Sequence, residues 1–202
     1  MLQIYHAPMT RSLRVIWLCE ELALPYEIIP VDFSPEYRAT AEWRALNPTG
    51  KVPVMVDNGI TMFESGAMVQ HILNCYGNGR LEPEPRTEAH AHFLQWCWFG
   101  ESTLARPLGE IVNHKREFPN EQEIPAILAE MADRVEVSLQ AVAGATADSQ
   151  WLIGDTFTAA DVMVGYSLHL AHLLTPDRLP AELMPYWQRL QARQGYQKTI
   201  AV

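Results

Sequence analysis

The chain has 202 residues, of which 48% are hydrophobic, and it carries a formal net charge of −9. This length is enough for one large domain or two smaller ones, each with its own hydrophobic core. The acidic balance argues against nucleic acid or an anionic membrane surface as a partner, and no basic run offsets it.

The first 78 residues alternate strand and helix patterns. Strands are predicted at 2–7 and 26–32, helices at 12–22 and 40–46, a strand hairpin around Asp57-Asn58-Gly59, and a helix at 65–76. A strand–helix–strand start implies a parallel strand pair, and the Asn-Gly turn implies an antiparallel one. This order predicts an α/β domain of the thioredoxin-like type.

The glycine- and proline-rich segment 79–86 predicts a linker, because hydrophobic periodicity stops there. The remainder, 87–202, is predicted to be an all-helical domain. Its helices are expected at 87–106, 107–117, 124–143, 157–174 and 185–193. Thr158 and Asp161 have the spacing of a capping box, which predicts a structural role for Asp161 at a helix start.

The cysteines and the apolar stretches indicate a cytoplasmic protein. Cys19, Cys75 and Cys97 form no spacing motif, and this odd number predicts reduced, buried thiols. The first residues, MLQIYHAP, lead directly into a strand pattern rather than a signal peptide. The longest apolar stretch, 162–174, is too short to span a bilayer.

Two features within NPTGKVPVMVDNGITMFESGA predict a ligand site. Val52-Pro53 precedes a strand, and a cis bond there would turn the Val52 backbone outward to pair with an extended ligand. Glu64-Ser65 precedes a helix, with Ser65 as the expected N-cap, and a helix start attracts a carboxylate. Each feature alone is more often structural, but together they suit a small peptide-like ligand with a free carboxylate.

These motifs and the order of elements resemble the glutathione transferase superfamily, and the likeness covers nearly the whole chain. The resemblance implies that Val52 and Pro53 pair with the cysteinyl backbone of glutathione as co-substrate. It also implies that Glu64 and Ser65 hold the γ-glutamyl end. The second carboxylate of the ligand is expected at Arg11 or Lys51, although both side chains could simply be solvated.

The start of the first helix, Met9-Thr10-Arg11-Ser12, lacks the cysteine of dithiol oxidoreductases and of the cysteine-type transferases. Hydroxyl groups remain, and each could donate a hydrogen bond to a bound thiolate. Ser12 ranks first as the catalytic residue, because it is expected at the N-cap, and Thr10 follows closely. Tyr5 is more readily explained as a strand aromatic. The segment resembles serine- or threonine-type transferases.

The helical domain offers no comparable site. His169 and His172 are three residues apart, but no third ligand is evident, so no metal is expected. Trp96 is expected in the core, with Phe99, Ser102 or Thr103 nearer a co-substrate pocket.

Three functions remain open at this point. The resemblance implies a cytoplasmic, homodimeric detoxification enzyme that joins glutathione to a hydrophobic electrophile. The alternatives are a non-enzymatic regulatory or assembly protein of the same fold, and a glutathione-dependent peroxidase, isomerase or dehalogenase.

Overall fold

The computed structural model describes all 202 residues, which form one four-stranded sheet and ten α-helices. Contacts within the chain divide it into two units. The first unit contains Met1–Leu81 together with Ala192–Val202, and the second contains Glu82–Gln191. The boundary at Leu81 falls inside the segment 79–86 that the sequence predicts as a linker.

The sheet of the first unit has the order β2-β1-β3-β4. Its strands are β1 (Leu2–His6), β2 (Tyr26–Pro30), β3 (Val54–Asp57) and β4 (Ile60–Phe63). β1 and β2 are parallel, whereas β3 is antiparallel to both β1 and β4. Asn58 and Gly59 have φ angles of 48° and 84°, as a two-residue hairpin turn requires, so the predicted hairpin is confirmed.

The helices of the first unit that precede the boundary are α1 (Ser12–Leu22), α2 (Pro35–Arg38), α3 (Ala41–Leu46) and α4 (Ser65–Ile72), which continues into a π-helical turn (Leu73–Gly77). α1 is buried along most of its length. Of the three cysteines, Cys19 on α1 is buried, and this burial raises the pKa of its thiol to about 12. Cys75 is exposed and Cys97 is half-buried, so the prediction of three buried thiols is wrong for these two.

The second unit is entirely helical, with α5 (Glu88–Trp98), α6 (Ala105–Glu117), α7 (Pro125–Ala145), α8 (Ala159–Leu174) and α9 (Met184–Gln191). The predicted helix 87–106 is interrupted, because a π-helical turn (Phe99–Leu104) lies between α5 and α6. α8 is the buried central helix that the sequence predicts. Gly100 lies against it so closely that an added Cβ would approach the Met163 carbonyl carbon to 2.9 Å.

The capping box at the start of α8 is confirmed. The Asp161 carboxylate is fully buried and accepts hydrogen bonds from the backbone N–H of Thr158 (2.8 Å) and of Leu152 (3.0 Å). It also accepts one from the Tyr186 hydroxyl at 3.0 Å. Burial raises the pKa of Asp161 to about 6, against the effect of these donors. Asp161 therefore connects the start of α8 to the preceding loop and to α9.

The last eleven residues belong to the first unit, whereas the sequence predicts them to be part of the helical domain. α10 (Gln194–Thr199) packs on α1, where the Trp17 and Tyr196 rings meet edge to face at 5.1 Å. Arg193 donates two hydrogen bonds to Glu21, at 2.8 and 2.6 Å. These contacts, formed by residues distant in sequence, explain the correction. No helix in either unit has the length and apolar character that crossing a membrane requires.

Candidate functional site

Strand register brings three segments to one end of the sheet. Val54, the first residue of β3, is paired with Tyr5 near the end of β1 and with Phe63 at the end of β4. The loop after β1, the Val52-Pro53 peptide before β3 and the Glu64-Ser65 pair after β4 therefore lie at the same end. The residues predicted from separate motifs thus share one edge of the first unit.

The Val52-Pro53 peptide bond is cis, which confirms the conformation that the resemblance implies. Val52 is half-buried, and no hydrogen bond links its backbone N–H or C=O to another residue of the chain. Unpaired backbone groups of this kind are available to an extended ligand segment. Val52 therefore offers backbone groups for pairing, as the sequence predicts for a cis Val52-Pro53 bond before a strand.

Asn47 supports the loop that leads to this peptide, a role that the sequence reading missed. Its buried side chain accepts hydrogen bonds from the Thr49 backbone N–H (3.0 Å) and hydroxyl (2.8 Å). Its amide nitrogen donates to the Lys51 carbonyl at 2.8 Å. An Asn side chain that hydrogen-bonds the backbone two residues later is typical of a turn. The segment Asn-Pro-Thr-Gly could therefore have predicted this turn from the sequence.

The Glu64-Ser65 pair differs from the prediction in one respect. Glu64, not Ser65, occupies the N-cap of α4, and its side chain makes no capping hydrogen bond. Ser65 is the first helical residue and is 2% exposed. Its hydroxyl accepts a hydrogen bond from Nη1 of Arg14 at 3.2 Å. This buried arginine connects α1 to the first turn of α4. The sequence reading missed it, because Arg14 lies within the apolar pattern of α1.

The start of α1 also differs from the prediction. Arg11, in helical conformation, occupies the N-cap, and Ser12 is the first helical residue rather than the cap. The Ser12 hydroxyl is fully buried and lies 2.7 Å from both Nδ1 of His6 and Oγ1 of Thr10. Thr10 is only half-buried and donates to the Ala7 carbonyl at 2.7 Å. Of the two residues that carry the predicted hydroxyl groups, Thr10 is the more exposed.

The other predicted residues of this unit occupy simpler surroundings. Tyr5 packs against Trp43 with ring centroids 5.9 Å apart, as a strand aromatic does. Arg11 is partly exposed at its cap position. The Lys51 side chain is exposed, and only its carbonyl is held by Asn47. Both cations are thus placed on loops at the same end of the sheet.

In the helical unit, Trp96 is buried, as predicted, and packs edge to face on Phe99 at 5.0 Å. Ser102 and Thr103 line an open cavity of about 550 Å³ within this unit. Arg106, Glu130 and Arg134 also line this cavity, so its wall is strongly charged.

A thioredoxin-like sheet with a cis Val52-Pro53 peptide at one end, in a chain that also contains a helical unit, defines the class of protein, and comparison with known proteins agrees. Residues 1–74 match the family described as glutathione S-transferase, N-terminal domain. Glutathione S-transferase hmp2 of Hypomyces subiculosus is 32% identical over 167 residues, covering 80% of this chain and 78% of that protein. Glutathione S-transferase 3 of Schizosaccharomyces pombe is 27% identical over 200 residues, covering 94% and 82%.

The chain belongs to the glutathione S-transferase superfamily. Its fold is also that of a crystal structure of glutathione transferase URE2P8 from Phanerochaete chrysosporium with oxidized glutathione. The TM-score is 0.84 at 23% identity, and the match covers 98% of this chain and 92% of the other.

Proposed function

We propose that the protein is a glutathione transferase that adds the glutathione thiolate to a hydrophobic electrophile, acting as a cytoplasmic homodimer. The unpaired backbone of Val52 supports this proposal most directly, because it lies at the same end of the sheet as the Thr10 hydroxyl and the start of α4. A tripeptide with a thiol and two carboxylates matches such a set of groups.

In this proposal each part of glutathione has a partner. The cysteinyl backbone pairs with the N–H and C=O of Val52, beside Pro53. The γ-glutamyl carboxylate binds the first turn of α4 at Ser65, where the helix dipole favours an anion. The α-amino group binds the Glu64 carboxylate, and the glycyl carboxylate binds Arg11 or Lys51.

Burial supports Thr10 rather than Ser12 as the hydroxyl that contacts the sulfur. Ser12 is fully buried, whereas Thr10 is half-buried and its hydroxyl lies 2.7 Å from that of Ser12. Thr10 therefore takes the direct role in this proposal, and Ser12 acts through Thr10. A hydrogen bond from Thr10 favours the ionised thiol, whose proton leaves to water. The thiolate then attacks an electrophilic carbon, a carbon–sulfur bond forms, and the leaving group departs with its bonding electrons.

Calorimetric titration with glutathione, followed by a chlorodinitrobenzene conjugation assay, tests the proposal. We expect Thr10→Val to lower conjugation by about tenfold or more, since the variant keeps the shape of the side chain and loses the donor. Thr10→Ser should retain activity. Thr175→Val is the matched control, because it removes a buried threonine hydroxyl that donates to a carbonyl in the helical unit.

Three results are informative. No heat of binding with millimolar glutathione would overturn the proposal. Binding without conjugation or other thiol chemistry would favour the non-enzymatic alternative. Full activity in Thr10→Val would remove Thr10 from the mechanism and return the role to another donor.

A further inference from the structure

A line of short hydrogen bonds runs from a buried histidine to the half-buried hydroxyl at the start of α1. Nδ1 of His6 lies 2.7 Å from the Ser12 hydroxyl, which lies 2.7 Å from the Thr10 hydroxyl. Thr10 in turn donates to the Ala7 carbonyl at 2.7 Å. The four groups come from the end of β1 and from the six residues that follow it, so local chain geometry holds them together.

The proton positions along this line follow from valence. A carbonyl oxygen has no hydrogen, so the 2.7 Å contact at Ala7 uses the only hydroxyl proton of Thr10. The contact between the two hydroxyl groups then requires Ser12 to donate to Thr10. Since Ser12 has no second proton, it must accept from His6, whose Nδ1 carries a hydrogen.

The surroundings of His6 agree with this assignment. The residue is 5% exposed, and burial lowers the pKa of its imidazole, with a smaller opposing effect from the Val202 backbone. A neutral ring protonated at Nδ1 has a bare Nε2. Nε2 is buried and has no hydrogen bond partner within the protein.

We propose that His6 is a positioning residue for thiol activation, acting through Ser12 on Thr10. Because Nδ1–H of His6 occupies the acceptor site of Ser12, the Ser12 proton points to Thr10, and Thr10 is left to donate outward. When a sulfur binds, the Thr10 hydroxyl can donate to it instead of to the Ala7 carbonyl. That carbonyl still accepts a hydrogen bond from the Thr10 backbone N–H at 3.3 Å. Hydrogen bonds that point in one direction also polarise each other. This inference rests on the proposed function.

Without His6, Ser12 loses the donor that fixes its orientation. Thr10 can then donate inward to Ser12 and is lost to the sulfur. Neither His6 nor Ser12 is accessible to a ligand, so the effect on the reaction is transmitted entirely through Thr10.

The test is the pKa of the glutathione thiol bound to the protein, titrated by the ultraviolet absorbance of the thiolate. His6→Phe keeps a planar ring and removes the donor, and we expect it to raise this pKa by roughly one unit. His6→Asn can place an N–H near the position of Nδ1 and should restore most of the shift. Glutathione affinity should change less than about threefold in both variants, because the bond to the sulfur favours mainly the ionised form.

Ser12→Ala provides a second route that leaves His6 in place. It should raise the thiol pKa as His6→Phe does. The double variant should raise this pKa little further, since both changes interrupt the same series of hydrogen bonds. His114→Phe is the matched control. This histidine is also buried, accepts a hydrogen bond from the Ile124 N–H and lies in the helical unit, so its loss should leave the thiol pKa unchanged.

The outcomes separate the two proposals. An unshifted thiol pKa in the wild-type complex overturns the proposed function, and this inference with it. A lowered pKa in wild type that persists in His6→Phe and in Ser12→Ala overturns the inference alone. In the free protein, imidazole ¹⁵N shifts that place the proton on Nε2 would also overturn it.

Discussion

Glu64 joins β4 to α4 with a φ of 78° and a ψ of 104°. A residue with a Cβ rarely adopts such a conformation, and holding it there costs of order 1–3 kcal/mol. The side chain makes no capping hydrogen bond that would offset this cost. In the proposed function the strained backbone presents the Glu64 carboxylate to the amino group of glutathione.

The strain leads to a prediction at Glu64. Glu64→Gly should relieve this strain. The greater freedom of glycine in the unfolded chain should reduce the resulting gain in stability by about 0.5–1 kcal/mol. We expect a net gain near 1 kcal/mol, seen as a melting temperature a few degrees higher, and a loss of glutathione affinity of about fivefold or more.

Glu64→Gln is the control for this prediction, because it keeps the backbone strain and removes only the charge. It should lose glutathione affinity without gaining stability. A lower melting temperature in Glu64→Gly would show that the conformation carries no strain.

At the scale of elements, a buried carboxylate ties the β3–β4 hairpin to α4 and its π-helical turn. Asp57 is 3% exposed and accepts hydrogen bonds from Nε2 of His71 at 2.8 Å and from the Tyr76 hydroxyl at 2.7 Å. Burial alone would raise the pKa of Asp57, but the bonds from His71 and Tyr76 outweigh it and lower the pKa. The sequence reading used Asp57 only as part of the hairpin turn.

This lowered pKa predicts how stability depends on pH. An acid whose pKa is lower in the folded state contributes stability above its unfolded pKa of about 3.9, and this contribution is lost as the pH falls through the folded pKa. Urea unfolding at pH 7 and pH 3 should therefore show a smaller drop in stability for Asp57→Asn than for wild type.

At pH 7 the same variant should be less stable than wild type by about 1–3 kcal/mol, because the amide lacks the negative charge and one of the two acceptor oxygens of the carboxylate. Asp155→Asn serves as the comparison, since Asp155 is exposed. Equal drops between pH 7 and pH 3 for wild type and Asp57→Asn would contradict the role of Asp57.

For the whole molecule, the first unit is completed by residues from the far end of the chain. Arg193 meets Glu21 with two hydrogen bonds, and the Glu21 side chain is 8% exposed. Glu21 also accepts a hydrogen bond from the Trp17 indole at 2.9 Å. An added Cβ at Gly195 would approach the Glu21 carboxylate to 2.6 Å, so the segment lies directly on α1.

Removing Arg193 should therefore destabilise the first unit. Arg193→Ala leaves a largely buried carboxylate without its main cation, and we expect a loss of about 2–4 kcal/mol in urea unfolding followed by tryptophan fluorescence. Lys198→Ala removes a cation that is 60% exposed in its pair with Glu20, and it should cost less than about 1 kcal/mol. Similar losses in the two variants would contradict this view of the segment.

The sequence by itself determined the parts of this protein that local chemistry controls. Strand and helix periodicity predicted the thioredoxin-like order and the helical remainder. The Asn58-Gly59 turn, the capping box of Thr158 and Asp161, and the outward edge at Val52 also followed from short segments. Each depends on backbone preferences or hydrogen bonds among neighbouring residues, so the signal is present within a few positions.

Only the tertiary structure decided which hydroxyl is reachable, because burial depends on what packs around a side chain. The sequence ranked Ser12 just ahead of Thr10, yet Ser12 is fully buried in the first unit and Thr10 is half-buried. The pairing of Arg14 with Ser65 and of Arg193 with Glu21 joins residues that are 51 and 172 positions apart. No local pattern encodes such pairs, since they form only when the chain has folded.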